Sequence, residues 1–453
     1  MQRIALLLVI LTITLFTCKP SDSKAYIESN KSIRVLNDSI PVLIMRSYFN
    51  KNEDISTEEL REGLSLGKIL CTSDIADRVK KELNIQVSLK VSTLSAFNSI
   101  DTSLYIVTSI DSVIPNLLCT SLNKKEFFKN ISTYQLWIPD SSHHEWDNTI
   151  TSYTHTGVTA LTRRTGSVIN SIGCEKYIEL IKPAIGNPDI LHISNEVSMQ
   201  TNCDYASMKM KFATCKEHFK ILELLGVEIV ELTGNHNLDV GLQAYETTFN
   251  WYKEHRMKTF GGGLSPSEAE EPLIITLKDK KKIAWIGFNE FCPCAECADK
   301  TMGANRYDAL KSKNLISDLK TKYKVDFIIA CVQFGESDSY LPSSTQKKIS
   351  KSLIDNGADV IIGSQAHQPQ TFEFYKNRMI FYGIGNFMFD QIHRIGVRQA
   401  YFLECYFYNG KIIQYIPRFT YMGDDRRPAL ATPEQKKVIE KAIFLKDYFS
   451  GKY

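Results

Sequence analysis

The stretch VEIVELTGNHNLDVG, Val227 to Gly241, decides how this chain is read. An apolar β-type run, Val227 to Leu232, stops at a glycine, an amide and an imidazole: Gly234, Asn235 and His236. In an open α/β sheet the strands are buried and read as apolar runs, while groups just past their carboxyl ends lie in a crevice that a ligand can reach. Gly234 is expected to permit a tight turn. Beyond it Leu242, Tyr245, Phe249 and Tyr252 recur at helical spacing, giving one face to pack on a sheet. Asn235 and His236 therefore fall on a loop between strand and helix, either as a site or as a cap of the turn.

The same pattern recurs on both sides. PDILHISNEVS is an apolar strand ending in Asn195 and Glu196, and DFIIACVQFGE ends in Gln333 and Glu336. ADVIIGSQAHQPQ ends in Gln365 and His367, and the pair FEFYKNRMIFYGIGNFMFDQ ends in Asn386 and Asp390. Helical patterns lie between them, near 206–225, 306–323 and 344–356, with a last one near 433–447. Strands alternating with helices indicate an α/β sandwich. Polar groups placed repeatedly at strand ends are expected to meet in one crevice. For Asn386, Asp390 and Gln370 the favoured reading is that they satisfy loop backbone.

A chain of 453 residues exceeds what one core normally supports, so two domains are expected. Residues 31–147 read as a small α/β domain: the run SIPVLIM, a capping box from Ser56 to Glu59, the amphipathic ADRVKKELNI and the strand-like SLYIVTSI. His143, His144 and Glu145 are adjacent and read as a solvated loop. The polar PDSSHHEWDNT places the boundary near 148, leaving 148–453 as the second domain. Hydrophobic content of 43% and charged content of 23% are ordinary globular values, and a net charge of +3 argues against a nucleic-acid partner.

The start, MQRIALLLVILTITLFTCKPSDSK, carries an apolar stretch from Ile4 to Phe16, too short for a membrane span and suited to a signal h-region. It resembles a bacterial lipoprotein signal over 1–18, with Cys18 as the acylated first residue and 19–30 as a tether. The protein is then expected to be exported and anchored to the cell envelope by lipid, or secreted if Cys18 is not acylated. Eleven cysteines in an exported chain imply some disulfides. Cys292, Cys294 and Cys297 in FCPCAEC read as a disulfide-bearing loop rather than a zinc site.

Taken in order, GVTALTR, SNEV, ELTGNHNLDVG, QFGE, NGADVIIGSQAHQPQ and YGIGNFMFDQ resemble the CapA family of capsule and poly-γ-glutamate synthesis proteins, over residues 153–392. The resemblance implies a four-layer α/β sandwich of the metallophosphoesterase type. It implies a role on a cell-envelope polymer or its precursor, as a hydrolase or transferase or as an inactive scaffold. It further implies Glu196, Asn235 and His367 as metal ligands, His236 with Glu196 as acid and base, and Arg163 as a cation for a phosphate or carboxylate. Asn195, Gln333, Glu336, Gln365, Asn386 and Asp390 are expected to contact substrate. Three positions depart from the family: Val158 stands where an acid is usual, and Gln333 and Gln365 where histidines are. An uncharged amide is a poor substitute ligand, so at most one divalent ion, Mn, Mg or Zn, is expected.

Overall fold

The computed structural model describes residues 38–449 except 98–100, 130, 143, 202, 206–207, 209–210 and 292–296. The leader, the tether, Cys18, His143, Cys292 and Cys294 lie outside the described residues.

Two sheets face each other between 150 and 430. In the first, Lys258–Phe260, Ile229–Glu231, Ile190–Asn195 and Ile150–Thr159 lie side by side and parallel. The sheet then continues antiparallel through Gln399–Tyr408, Lys411–Met422 and Pro428–Leu430. In the second, Lys282–Asn289, Phe327–Gln333, Val360–Ser364 and Arg378–Phe381 run parallel, with Leu273–Thr276 and Phe372–Tyr375 as antiparallel edges.

Alternation along each strand sorts its side chains into layers, because successive residues point to opposite faces. Tyr153, Ile190 and Ile229 of the first sheet meet Trp285, Ile329 and Ile362 of the second in one core. The intervening residues Leu191, Ile193 and Val230 pack outward on Ile169, Leu222, Phe249 and Tyr252, from helices Arg163–Ile172, Lys220–Leu225 and Leu242–Glu254. On the other side Ala284, Ile286, Ile328 and Ala330 pack on Ile316, Leu319, Ile349 and Leu353, from helices Ala309–Thr321 and Ser344–Asp355. Helix, sheet, sheet and helix make the four-layer α/β sandwich.

Helix starts follow their caps. Asp308 accepts from the backbone N–H of Leu310 and Lys311, and Ser343 with Gln346 closes a capping box. The expected long helix over 206–225 is a correction: the chain makes a short strand, Thr214–Cys215, then a 3₁₀ turn, Lys216–Phe219, and only then a helix, Lys220–Leu225. A disulfide joining Cys203 to Cys215 ties the segment down. Leu242 is exposed and lies outside the packing face, whereas Tyr245, Phe249 and Tyr252 are buried.

Residues 39–139 form a separate seven-stranded sheet, ordered Asp54–Ile55, Leu117–Leu122, Ser39–Ser47, Tyr105–Ser109, Ile69–Thr72 and Val91–Ser92, with Trp137–Pro139 also on Ser39–Ser47. Its core takes in Tyr406, Tyr408 and Ile413 from the hairpin of the first large sheet. The buried Gln414 amide donates to the Leu117 carbonyl at 3.0 Å and accepts from the Cys119 N–H at 2.8 Å.

Candidate functional site

The loops after the parallel strands of both large sheets converge. A Cβ on Gly234 would lie 2.7 Å from Glu196 Cα, so glycine is required here by close backbone approach. Gly234 does not have a positive φ, so what it supplies is space for the close approach and not a left-handed backbone. The approach lets Val197 and His236 bridge as a parallel pair, placing His236 beside Glu196. His236 Nδ1 lies 2.8 Å from Asp239 Oδ2; a carboxylate only accepts, so Nδ1 carries the proton and Nε2 is the basic nitrogen of the ring. Phe212 packs on the imidazole with ring centroids 4.3 Å apart. Glu196 is 2% exposed, and neither carboxylate oxygen has a hydrogen-bond partner among the described residues. A buried carboxylate in that state is costly, which marks the place as one for a ligand, an ion or water.

Gln333 ends its strand with its amide nitrogen 2.7 Å from Asn235 Oδ1 and 2.9 Å from Gln365 Oε1. One NH₂ group thus donates to two of the oxygens that a metal shell would use. Gln365 and His367 both adopt the left-handed region, φ 75° and 55°. Such backbone costs about 1–3 kcal/mol per residue and persists where surrounding structure fixes it. His367 Nδ1 donates to Asn386 Oδ1 at 2.9 Å, leaving Nε2 toward the Glu336 carboxylate, 3.9 Å away.

Arg163, at φ 46°, opens its helix and pairs with Asp390 while lying over the rings of Phe212 and Phe389. Its guanidinium is thus held in place by an internal carboxylate. Asn195 is turned away from the crevice, its amide nitrogen donating to the Val197 carbonyl at 2.6 Å and Tyr252 Oη at 2.8 Å. Gln370 serves the backbone, donating to Ser339 and Leu341 carbonyls. Glu336 lines an open hollow of about 350 Å³ beside Glu290, Phe291 and Gly335.

A dinuclear centre does not fit this cleft. Val158 offers no ligand atom, and Gln333 and Gln365 hold each other and Asn235 in hydrogen bonds. Among the described residues, three or more His, Cys, Asp or Glu groups close enough to share an ion occur at one other place, His155, His192, Glu231 and Cys331, a fully buried cluster that could hold a metal. Sequence reasoning passed over these four, as well as Asp239 and Phe212. What marks them is register: each stands two residues from a residue of the inter-sheet core, Tyr153, Ile190, Ile229 and Ile329, and so faces that core.

Residues 146–391 match the family described as "Bacterial capsule synthesis protein PGA_cap". The chain is 25% identical over 249 residues to the PGA biosynthesis protein CapA of Bacillus subtilis, covering 54% of this chain and 65% of that protein. It is 25% identical over 253 residues to the capsule biosynthesis protein CapA of Bacillus anthracis, covering 54% and 61%. The chain therefore spans somewhat under two thirds of the length of either relative. Among solved structures, the NAD nucleotidase of Haemophilus influenzae aligns at 14% identity with a TM-score of 0.35, over 66% of this chain and 56% of that one. The family match takes in the strand ends that carry Glu196, Asn235, His236, Gln333, His367 and Asn386 and covers more than half of the sequence; this chain belongs to the bacterial capsule synthesis protein family PGA_cap.

Proposed function

We propose that this protein acts in making or processing a cell-envelope polymer of the capsule or poly-γ-glutamate class, through acid–base chemistry at His236. The supporting observation is the 2.8 Å pairing of His236 Nδ1 with Asp239 beside a buried, unpartnered Glu196. An aspartate on Nδ1 fixes the tautomer and presents Nε2 as the proton-transfer atom, and such a positioned group is worth about 10²–10⁴ in rate. Glu196 supplies the second proton acceptor. Gln365 Nε2 has no partner among the described residues, and with Gln333 it offers amide groups to the substrate. Arg163 and Arg394 are paired with Asp390 and Asp338. The cleft would therefore read the polymer through hydrogen bonds to amide or hydroxyl groups more than through charge, and binding should change little with salt.

Replacing His236 by Ala is expected to lower turnover of poly-γ-glutamate or capsular polymer at least 10²-fold with the circular dichroism spectrum unchanged. Asp239→Asn, which leaves the imidazole in the wrong tautomer, should lose rate without losing polymer affinity. Full activity in His236→Ala would sink the assignment.

A second reading, favoured by the Gln333 bridge across Asn235 and Gln365, is a scaffold that binds polymer without turning it over. It predicts polymer binding by wild type with no change in chain length. A single cleft ion on Glu196, Asn235 and His367 is decided by metal analysis of Glu196→Gln. We further propose that residues 1–18 act as a lipoprotein signal and that Cys18 anchors the exported protein. Labelled fatty acid failing to appear on Cys18 in growing cells would exclude the anchor.

A further inference from the structure

Beneath the cleft, at the centre of the inter-sheet core, lies a second polar assembly that the proposed chemistry does not use. His155, His192 and Glu231 come from three neighbouring strands of the first large sheet, and Cys331 from the facing sheet. All four are inaccessible to solvent or nearly so, and one ligand atom from each lies within 4.8 Å of the others. The strands that carry three of them deliver cleft residues a few positions later: His192 precedes Glu196, Glu231 precedes Asn235, and Cys331 precedes Gln333.

We infer that these four residues form a closed, four-coordinate binding site for a zinc-type divalent cation, which pins the two sheets together under the cleft.

Two observations independent of the cluster's composition support it, and so does its charge. His192 Nε2 is fully buried, has no hydrogen-bond partner among the described residues, and faces Glu231 Oε2 at 3.7 Å. Groups like that are rare in a folded core unless something unseen satisfies them. Tyr153 Oη lies 2.9 Å from His155 Nδ1 and 2.8 Å from His192 Nδ1, and receives the Trp285 indole N–H at 3.2 Å. Both rings are held at Nδ1 and so turn Nε2 toward the cluster; with metal bound both Nδ1 atoms carry the proton, and the Tyr153 oxygen acts toward them as acceptor, the role by which outer groups orient ligating histidines. Charge also balances. A divalent cation with one thiolate, one carboxylate and two neutral imidazoles carries no net charge, which a low-dielectric core requires.

With the site empty, burial favours the neutral form of all four groups: it lowers the His155 and His192 imidazoles and raises the Glu231 carboxyl and the Cys331 thiol. The imidazoles can ligate as they stand, whereas the carboxyl and the thiol must first give up their protons. Loading the ion then displaces one thiol proton and one carboxyl proton to solvent, two per cation, and forms one metal–sulfur, one metal–oxygen and two metal–nitrogen bonds. Mixed sulfur, nitrogen and oxygen ligation at tetrahedral number suits Zn²⁺ and its spectroscopic stand-in Co²⁺ over Mg²⁺ or Ca²⁺.

The test uses the full chain expressed in minimal medium supplemented with cobalt, because a site this deep must fill as the protein folds. About one cobalt per chain is expected, with a thiolate-to-cobalt charge-transfer band in the near ultraviolet. X-ray absorption on the wild type should show one sulfur neighbour at about 2.3 Å and nitrogen neighbours at about 2.0–2.1 Å, and this measurement needs no variant to fold. Cys331→Ser should abolish the charge-transfer band, and His192→Gln should cut metal content at least tenfold. Glu196→Gln, which alters only the cleft, should keep both the metal and the band. Cobalt-grown protein without cobalt, cobalt without a sulfur neighbour, or metal that disappears in Glu196→Gln while surviving in Cys331→Ser would each overturn the inference. None of these outcomes depends on whether His236 is catalytic.

Discussion

Gln333 illustrates how one side chain sets the chemistry of the cleft. Its amide nitrogen bonds two oxygens at 2.7 and 2.9 Å while the residue is 2% exposed, so Gln333→Leu leaves two acceptors in the crevice without their donor. The expected cost is about 2–4 kcal/mol in urea unfolding, because each stranded buried polar group forfeits roughly 1–3 kcal/mol. A loss below about 0.5 kcal/mol would mean that water replaces the bridge. Gly157 is a second test. A Cβ there would collide with the Gly385 carbonyl, which is the contact that brings Asn386 onto the strand Ile150–Thr159. Gly157→Ala should cost about 2–3 kcal/mol and misplace the Asn386 oxygen that holds His367. At this scale the sequence revealed which strand ends carry polar groups, since a strand that stops at GNH or SNE announces itself. It did not reveal partnerships. The bridge by Gln333 joins three loops far apart in sequence, and Asp239 looks like an ordinary turn residue until its carboxylate is found on His236. The four buried residues under the cleft were hidden for a different reason: alternation shows which face of a strand each lies on, but not that the four faces meet at one point between two sheets.

Helices and strands were more legible, because local chemistry fixes their ends. The helix Ser344–Asp355 starts where Ser343 and Gln346 exchange side-chain and backbone hydrogen bonds, and Ser343→Ala should cost about 1 kcal/mol in thermal or urea melts. Gln346→Ala should cost more. Its amide also reaches Gln370 at 2.7 Å and the Tyr382 carbonyl at 3.1 Å, so the substitution breaks a cap and a buried network together. The segment before Lys220 misled because apolar spacing persists through Thr214–Cys215 and the 3₁₀ turn, where the Cys203–Cys215 link and strand pairing override helix preference. The long hairpin offers a pH test. Burial pushes the Glu404 carboxyl up, but the hydrogen bond and charge of Arg418 more than reverse this, so its pKa lies below the ordinary carboxylate value. A depressed carboxylate contributes stability that is present above its unfolded pKa and lost as pH falls through the folded one. Arg418→Met should therefore destabilise by about 2 kcal/mol at neutral pH and flatten the acid side of the stability profile below about pH 4.5. An unchanged acid limb in that variant would remove the pair from the explanation.

The whole molecule is tied together at the hairpin Gln399–Met422, which belongs to two cores at once. Leu403, Cys405 and Phe407 face the inter-sheet core, while Tyr406, Tyr408 and Ile413 complete the core of the seven-stranded sheet built from residues 39–139. Gln414 completes the join by hydrogen bonding both the carbonyl of Leu117 and the N–H of Cys119. The strand-like runs SIPVLIM and SLYIVTSI fall on Ser39–Ser47 and Tyr105–Ser109, yet nothing between 31 and 147 shows that part of this core arrives about 270 residues later. The consequence is thermodynamic coupling. A fragment ending near 147 lacks three large buried side chains, each contributing about 1.5–3 kcal/mol on burial, a loss comparable with the total stability of a small domain. Such a fragment is expected to be without cooperative structure, and the full chain should unfold with the two parts in one transition. Gln414→Leu supplies the finer test: it removes the polar join without opening a cavity, strands one donor and one acceptor of the Leu117–Leu122 strand, and should lower stability by about 2–4 kcal/mol. Hydrogen exchange decides between coupling and independence. Coupling requires Leu117, Cys119 and the hairpin amides to lose protection together in Gln414→Leu, whereas independence would confine the loss to the seven-stranded sheet.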